Sequence, residues 1–135
     1  MTNVRLIFSL RDSPNYVRLE RPDTAGLASI PEGTEALSLE LTDVDDSGIS
    51  HLPELQSLRC LDLDSTKVTD KSLSRLSTFP ELEELWLECT EVTDLGLRAL
   101  HRARRLKFLS VAYTEVTPDG VRAILQAIPG LQVSA

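Results

Sequence analysis

Apolar residues recur along most of this chain at a spacing of 24 residues. Leu58, Leu82 and Leu106 begin three units that align without gaps, and Thr34 begins a fourth unit 24 residues earlier. When these residues are counted as position one, positions four, six, eleven, sixteen and nineteen are apolar in all four units. Position nine is threonine throughout: Thr42, Thr66, Thr90 and Thr114. Self-similarity at a fixed period predicts a repeat protein.

The pattern within each unit predicts a short strand followed by a short helix. Leucines at positions four and six alternate with period two, which is typical of a strand with one buried face. From position thirteen to nineteen the apolar residues lie three apart, which is typical of one helix face. Thr69, Thr93 and Thr117 precede these stretches as candidate N-caps. Asp70 and Asp94 then lie in the first helical turn, where the helix dipole favours a carboxylate.

A single unit cannot bury its leucines, but stacked units can, because each inward position meets its counterpart next door. The units therefore predict an α/β solenoid with a parallel sheet on one face. The pattern Leu-x-x-Leu-x-Leu-x-x-Thr-x-Val-Thr-Asp-x-Gly-Leu resembles leucine-rich repeats, particularly short bacterial ones, over residues 34–133. That resemblance implies a concave sheet, convex helices and protein–protein recognition through the concave face. The family commonly has Asn or Cys at position nine, so threonine predicts a simpler hydrogen-bond ladder here.

Both ends of the array depart from the repeat. Residues 1–33 are expected to form an N-terminal cap that begins with a β-hairpin, because Val4, Leu6, Phe8 and Leu10 alternate with other residues and a second strand follows from Tyr16. Residues 16–33 also resemble a shortened repeat. Residues 34–135 hold the four repeats and a terminal strand, so the chain is expected to be one continuous domain. An exposed final strand allows self-association through its edge.

The outward positions of the predicted strands carry the candidate binding residues. Positions three, five and seven face away from the core, and position eight lies on the following loop. The candidates are Glu40, Asp62, Asp64, Glu84, Trp86, Glu88, Phe108 and Tyr113. Three of the carboxylates at position seven would lie about 4.8 Å apart on neighbouring strands, where like charges repel. Repulsion that no structural benefit offsets favours a functional role for these carboxylates.

Charge divides the chain into unequal parts. The net charge is −7, yet residues 34–97 carry 4 basic and 15 acidic side chains, and residues 98–135 carry 6 basic and 2 acidic ones. We therefore expect a protein partner with a basic patch. Binding of an anionic ligand or nucleic acid is the weaker alternative, and its candidates are Arg98, Arg102, Arg104, Arg105 and Lys107. The overall negative charge opposes nucleic acid.

Catalysis finds little support in the sequence. His51 and His101 fall in different units, and the chain has neither a glycine-rich phosphate loop nor a nucleophile elbow. On an open sheet, Asp62 and Glu84 would stay solvated, and nothing would raise their pKa by burial. We therefore expect a non-enzymatic protein without metal or cofactor. A hard cation such as calcium, held by the position-seven carboxylates, or a weak enzyme on the same carboxylates, is the alternative.

The two cysteines are expected to be free thiols. Cys60 lies at position three of one unit and Cys89 at position eight of the next. Five residues along a strand correspond to about 16 Å, beyond the ~7 Å Cα limit of a disulfide. The chain also has no apolar run near the ~20 residues of a membrane span, and its beginning is a poor signal peptide. A cytoplasmic location is therefore expected.

Overall fold

The structure, a computed structural model, describes residues 5–135. Six short strands form one parallel sheet, ordered as they occur along the chain. They are β1 (Tyr16–Arg18), β2 (Ala36–Ser38), β3 (Cys60–Asp62), β4 (Glu84–Trp86), β5 (Phe108–Ser110) and β6 (Gln132–Ser134). The register pairs equivalent repeat positions, as in Leu61 with Leu85 and Leu85 with Leu109. The predicted parallel stacking of the units is confirmed.

A short helix connects each pair of consecutive strands, and one further helix precedes β1. The helices are α1 (Leu6–Ser9), α2 (Thr24–Ala28), α3 (Asp46–Ile49), α4 (Asp70–Leu76), α5 (Asp94–Leu100) and α6 (Pro118–Ala127). The side chains of Thr69, Thr93 and Thr117 accept hydrogen bonds from backbone N–H groups of the helices they precede. This capping confirms where the sequence predicted α4, α5 and α6 to begin.

The leucines at the inward positions form one continuous core along the solenoid. Leu61, Leu85 and Leu87 are fully buried, as the repeat pattern predicted. The helical leucines Leu73 and Leu97 belong to the same cluster. Each unit therefore buries its apolar residues against the next unit, which is how a stack of short strands and helices becomes stable.

Threonine at position nine makes its hydrogen bond inside its own repeat. Its hydroxyl donates to the carbonyl oxygen of position six, three residues earlier. The four bonds measure 2.6–2.7 Å and join Thr42 to Leu39, Thr66 to Leu63, Thr90 to Leu87, and Thr114 to Val111. A hydroxyl satisfies one carbonyl, so this ladder closes each turn locally, as expected, and does not link neighbouring repeats.

A carboxylate at position thirteen provides the link between neighbouring repeats. It accepts from both the backbone N–H and the hydroxyl of the N-cap threonine in the next unit. The pairs are Asp46 with Thr69, Asp70 with Thr93, and Asp94 with Thr117. The bonds from Thr117 hold the pKa of Asp94 below its usual value. These aspartates therefore hold the convex edge together as well as favouring the helix dipole.

The same carboxylates explain glycine at position fifteen of the third and fourth repeats. A Cβ atom on Gly96 would lie 2.1 Å from Oδ1 of Asp70, and one on Gly120 would lie 2.1 Å from Oδ1 of Asp94. Where serine replaces glycine, Ser72 donates its own hydrogen bond of 2.6 Å to Oδ1 of Asp46. Position fifteen thus holds either no side chain or one that bonds to the aspartate.

The predicted N-terminal hairpin is wrong. Leu6–Ser9 is a helix, and β1 pairs in parallel with β2 as the first strand of the sheet. Val4 lies outside the described residues. The alternation at residues 6–10 hid a second pattern, since Leu6, Ile7 and Leu10 also share one face of a helix. That face packs on the sheet, and tertiary contact therefore decided between the two patterns.

Strands flank the four repeats on both sides. Residues 16–33 contribute β1 and α2 in the order of a repeat unit, and β6 pairs with β5 at the other end. The pairing of β6 places Val133 opposite Leu109. β6 is the last strand in the sheet order.

Candidate functional site

The concave face of the sheet carries the candidate binding residues, and it consists of two halves. Positions three, five and seven point to this side because positions four and six point into the core. In one half, the side chains at position three are covered by residues 5–11, which we call the covering segment. The second half is an acidic rim, which we define as Glu40, Asp62, Asp64 and Glu88.

In the covered half, apolar side chains of the covering segment pack on the sheet. Ile7 is buried in a small cluster with Ala36 of β2 and Cys60 of β3. Leu6, Leu10, Tyr16 and Trp86 surround it. The structure contradicts the expected open surface here, because Glu84 is only 4% exposed and Phe108 only 5%. The chain itself removes these two predicted site residues from solvent.

Glu84 holds the covering segment in place. Its carboxylate accepts hydrogen bonds from the backbone N–H groups of Leu6 and Ile7 at 2.8 and 3.3 Å. It also accepts one from Nε1 of Trp86 at 2.8 Å. The first turn of a helix leaves such N–H groups without partners in the helix, so a buried carboxylate satisfies them well. Glu84 therefore has a structural role that the sequence alone did not reveal.

Aromatic rings and arginines line the edge of the covered half. Trp86 lies between Phe8 and Phe108, with ring centroids 6.1 and 5.0 Å away. The guanidinium carbon of Arg5 is 3.6 Å from the ring centroid of Phe108. Nη1 of Arg5 also donates to Oε1 of Gln132 at 3.0 Å. The predicted aromatic pair of Trp86 and Phe108 is therefore present, and cationic and aromatic side chains of the same chain cover it.

Tyr113 lies apart from these rings. It is 85% exposed and sits at position eight, on the loop after β5. Its backbone has φ of 58°, and Leu41, Ser65 and Cys89 share this left-handed conformation at the equivalent position. The repeated turn directs this part of the chain away from the sheet. The sequence therefore grouped Tyr113 with aromatic residues that the fold does not bring to it.

The acidic rim holds one carboxylate at the end of β3 and three in the turns that follow β2, β3 and β4. Oxygens of Glu40, Asp62 and Asp64 lie within 4.8 Å of one another. Two of these side chains have a structural role, since Asp62 accepts from the N–H of Asp64 at 2.9 Å and Asp64 from that of Glu88 at 2.7 Å. Glu40 pairs with Arg18 at 3.1 Å. The expectation that the position-seven carboxylates have no structural role is therefore wrong for Asp64.

Burial raises the pKa of two rim carboxyl groups. The pKa of Asp62 is about 6, and the pKa of Asp64 is about 7 because Asp62 adds its negative charge to the effect of burial. Asp62 is only 9% exposed. The expectation that nothing would shift the pKa of Asp62 is thus wrong. Closely spaced oxygens of this kind suit hard cations or basic side chains.

The candidate basic residues near the C-terminal end are partly paired. Lys107 Nζ lies 2.9 Å from Glu83, and Arg105 lies 3.2 Å from Glu81. Arg59 also reaches Glu83, at 2.7 Å. A cavity of about 520 Å³ lies among these groups, with Arg104 also in its wall. Because the acidic partners neutralise much of its positive charge, this region should attract an anion less strongly than the sequence predicted.

The cysteines differ in their surroundings. Both thiols are free, as predicted, with Cys60 buried and Cys89 exposed. Burial under the covering segment raises the pKa of the Cys60 thiol. Cys60 therefore reports on whether that segment is seated, and Cys89 reports on the open surface.

Comparison with known proteins agrees with the geometry. The Leucine Rich repeat family matches residues 54–77. No curated protein sequence matches the chain significantly. The family match covers the length of one repeat, and the six-stranded parallel sheet with its short connecting helices is a leucine-rich repeat fold.

Two solved structures share the fold. Internalin C2 of Listeria monocytogenes has a TM-score of 0.66 at 19% identity, over 83% of this chain and 46% of that one. A leucine-rich repeat protein of Leptospira interrogans has a TM-score of 0.62 at 15% identity, over 87% of this chain and 29% of that one. The chain therefore spans less than half the length of either protein.

The helices in the described part of the chain are all too short to cross a lipid bilayer. The longest, α6, has ten residues.

Proposed function

We propose that this protein binds a protein partner through its concave face, and that the partner contributes basic side chains to the acidic rim. Leucine-rich repeat proteins generally mediate protein–protein interaction, and an extended sheet face suits that role. The observation that carries the finer proposal is the acidic rim itself. Its four carboxylates have a single arginine, Arg18, within salt-bridge distance among the described residues.

The charge of the rim supports a basic partner in energetic terms. Asp62 and Asp64 retain their protons more readily than ordinary carboxyl groups because their negative charges are crowded and poorly solvated. A lysine or arginine from a partner would relieve that crowding. Binding would then favour the ionised carboxylates, so affinity should increase as the pH rises from about 6 to 8.

A displayed library of random peptides tests this proposal directly. Peptides selected on the wild type should be rich in lysine and arginine. Their affinity should fall at least about tenfold in the triple variant Glu40→Gln, Asp64→Asn, Glu88→Gln, mainly because association at low salt slows.

The matched control changes three carboxylates at position ten of the first, third and fourth repeats, which are exposed and outside the concave face. Its substitutions are Asp43→Asn, Glu91→Gln and Glu115→Gln. This variant has the same net charge as the test variant, so a general electrostatic effect would weaken both equally. Equal affinity for the two variants, or selected peptides without basic residues, would contradict a role for the acidic rim.

A further inference from the structure

The covering segment occupies the concave face in the way that a bound peptide would. Residues 5–11 read Arg-Leu-Ile-Phe-Ser-Leu-Arg and belong to no repeat unit. They place aliphatic side chains against Ala36 and Cys60, backbone N–H groups on Glu84, and a guanidinium over Phe108. These are contacts between a cationic, apolar segment and a face from the most acidic part of the chain.

The solenoid does not depend on these contacts for its core. The cluster formed by Ile7, Ala36 and Cys60 is separate from the main leucine core. The covering helix α1 has only four residues, too few to be stable without the surface beneath it. Phe8 remains 48% exposed although it contacts Trp86. The covering segment is therefore held by a small set of contacts, separate from the main core, that can be lost without unfolding the repeats.

The covering segment also leaves one buried polar group of the concave face without a hydrogen bond. The hydroxyl of Ser110, at position five of the same sheet face, is buried and has no hydrogen-bond partner among residues 5–135. A buried hydroxyl without a partner is unfavourable relative to one in water. A ligand that bonds to it would gain an interaction that the covering segment does not make.

From these contacts we infer that the covering segment is a displaceable internal ligand. The partner would compete with it for the same binding site in the covered half. This inference rests on the proposed function and names the partner element more closely. That element is a short segment with branched aliphatic side chains for the Cys60 site, free backbone N–H groups for Glu84 and an arginine for Phe108. Binding therefore requires the covering segment to leave.

Release of the segment is tested in the 135-residue chain with Ile7→Asp, which puts a carboxylate beside Glu84 in an apolar site. The matched control is Leu95→Asp, because Leu95 is 67% exposed on α5, outside the sheet. In a Cys89→Ser background, Ile7→Asp should make Cys60 react with a thiol reagent at least ~10-fold faster than in the control. Equal reactivity of Cys60 in the two variants would show that the covering segment does not shield this thiol, and would overturn the inference.

Competition is then measured with two probes, a synthetic peptide of residues 5–15 and a basic peptide selected from the displayed library. Trp86 is the only tryptophan and contacts the segment, so its fluorescence reports binding. Both peptides should bind the Ile7→Asp variant at least ~10-fold more tightly than the wild type or the Leu95→Asp control.

The outcomes separate the two proposals. If the selected peptide binds the wild type and Ile7→Asp equally, the inference of competition is wrong and the proposed function stands. If selection yields no binding peptide on either protein, the proposed function fails. If wild-type protein forms dimers in light scattering and Ile7→Asp is monomeric, the segment is exchanged between two copies, and the inference of an internal ligand is overturned.

Discussion

The two halves of the concave face come from the same repeats and nevertheless present different surfaces. In the covered half, Glu84 is buried and accepts three hydrogen bonds, two of them from the covering segment. In the acidic rim, Asp64 accepts one backbone hydrogen bond and faces other carboxylates, which together with burial raise its pKa to about 7. The difference shows that donors brought by the tertiary fold determine what a strand carboxylate does.

The leucine layer beneath the sheet supports both halves, so its disruption should have the largest effect. Leu85 is fully buried, and Leu85→Ala should lower the free energy of unfolding by about 2–5 kcal/mol, because it removes packing and leaves a cavity. Chemical denaturation measures this loss. A change below about 0.5 kcal/mol would mean that Leu85 is outside the core, and would also undermine the assigned register.

Glu84 is next to Leu85 in β4 and faces the opposite side of the sheet, so its substitution should affect the covered half alone. Glu84→Ala should cost about 1–3 kcal/mol, because three donors lose a charged acceptor. The same variant should speed the reaction of Cys60 with a thiol reagent, whereas Glu84→Gln, which keeps one acceptor oxygen, should have a smaller effect on both. Unchanged Cys60 reactivity in Glu84→Ala would show that this carboxylate does not hold the covering segment.

In the acidic rim, removal of a charge should increase stability, and the gain should depend on pH. The folded protein holds the Asp64 proton more tightly than the unfolded chain, so this group loses stabilising effect as pH rises from about 4 to about 7. Asp64→Asn keeps an oxygen for the N–H of Glu88 and removes the charge. It should raise stability by about 1 kcal/mol at pH 8 and by much less at pH 4.

Comparison with the wild type at each pH isolates this effect. Other carboxylates, such as Asp94, have a lowered pKa and destabilise both proteins alike in acid. Their contribution cancels in the difference between wild type and Asp64→Asn. A difference that stays constant from pH 4 to pH 8 would contradict the raised pKa of Asp64.

The smallest effect is expected for the rim carboxylate that already has a cationic partner. Glu40→Gln removes a partly exposed ion pair with Arg18, and such pairs contribute about 0–1 kcal/mol. Relief of repulsion from Asp62 and Asp64 offsets that loss, so thermal unfolding should show a net change below about 0.5 kcal/mol. A loss above 1 kcal/mol would mean that Glu40 and Arg18 form a structural pair rather than part of an open binding surface.

Much of the fold could be predicted because each repeat carries its own signals. Period-two leucines, threonine N-caps and the 24-residue spacing act within a unit or between equivalent positions of neighbouring units. Burial of Leu61, Leu85 and Leu87 and the free state of both cysteines followed from the same register. The sequence also identified Trp86 and Phe108 as neighbours, because they lie two positions apart in register on adjacent strands.

The covering segment could not be predicted in the same way, because it has no second copy for comparison. Residues 6–10 fit both a strand and a helix, and the helix is favoured by packing on the sheet and by the contact with Glu84, nearly 80 residues away. The raised pKa of Asp64 likewise depends on burial and on charges from other strands. The sequence by itself determined the repeating scaffold. The tertiary structure decided which part of its concave face is covered, since that depends on contacts between residues far apart in the chain.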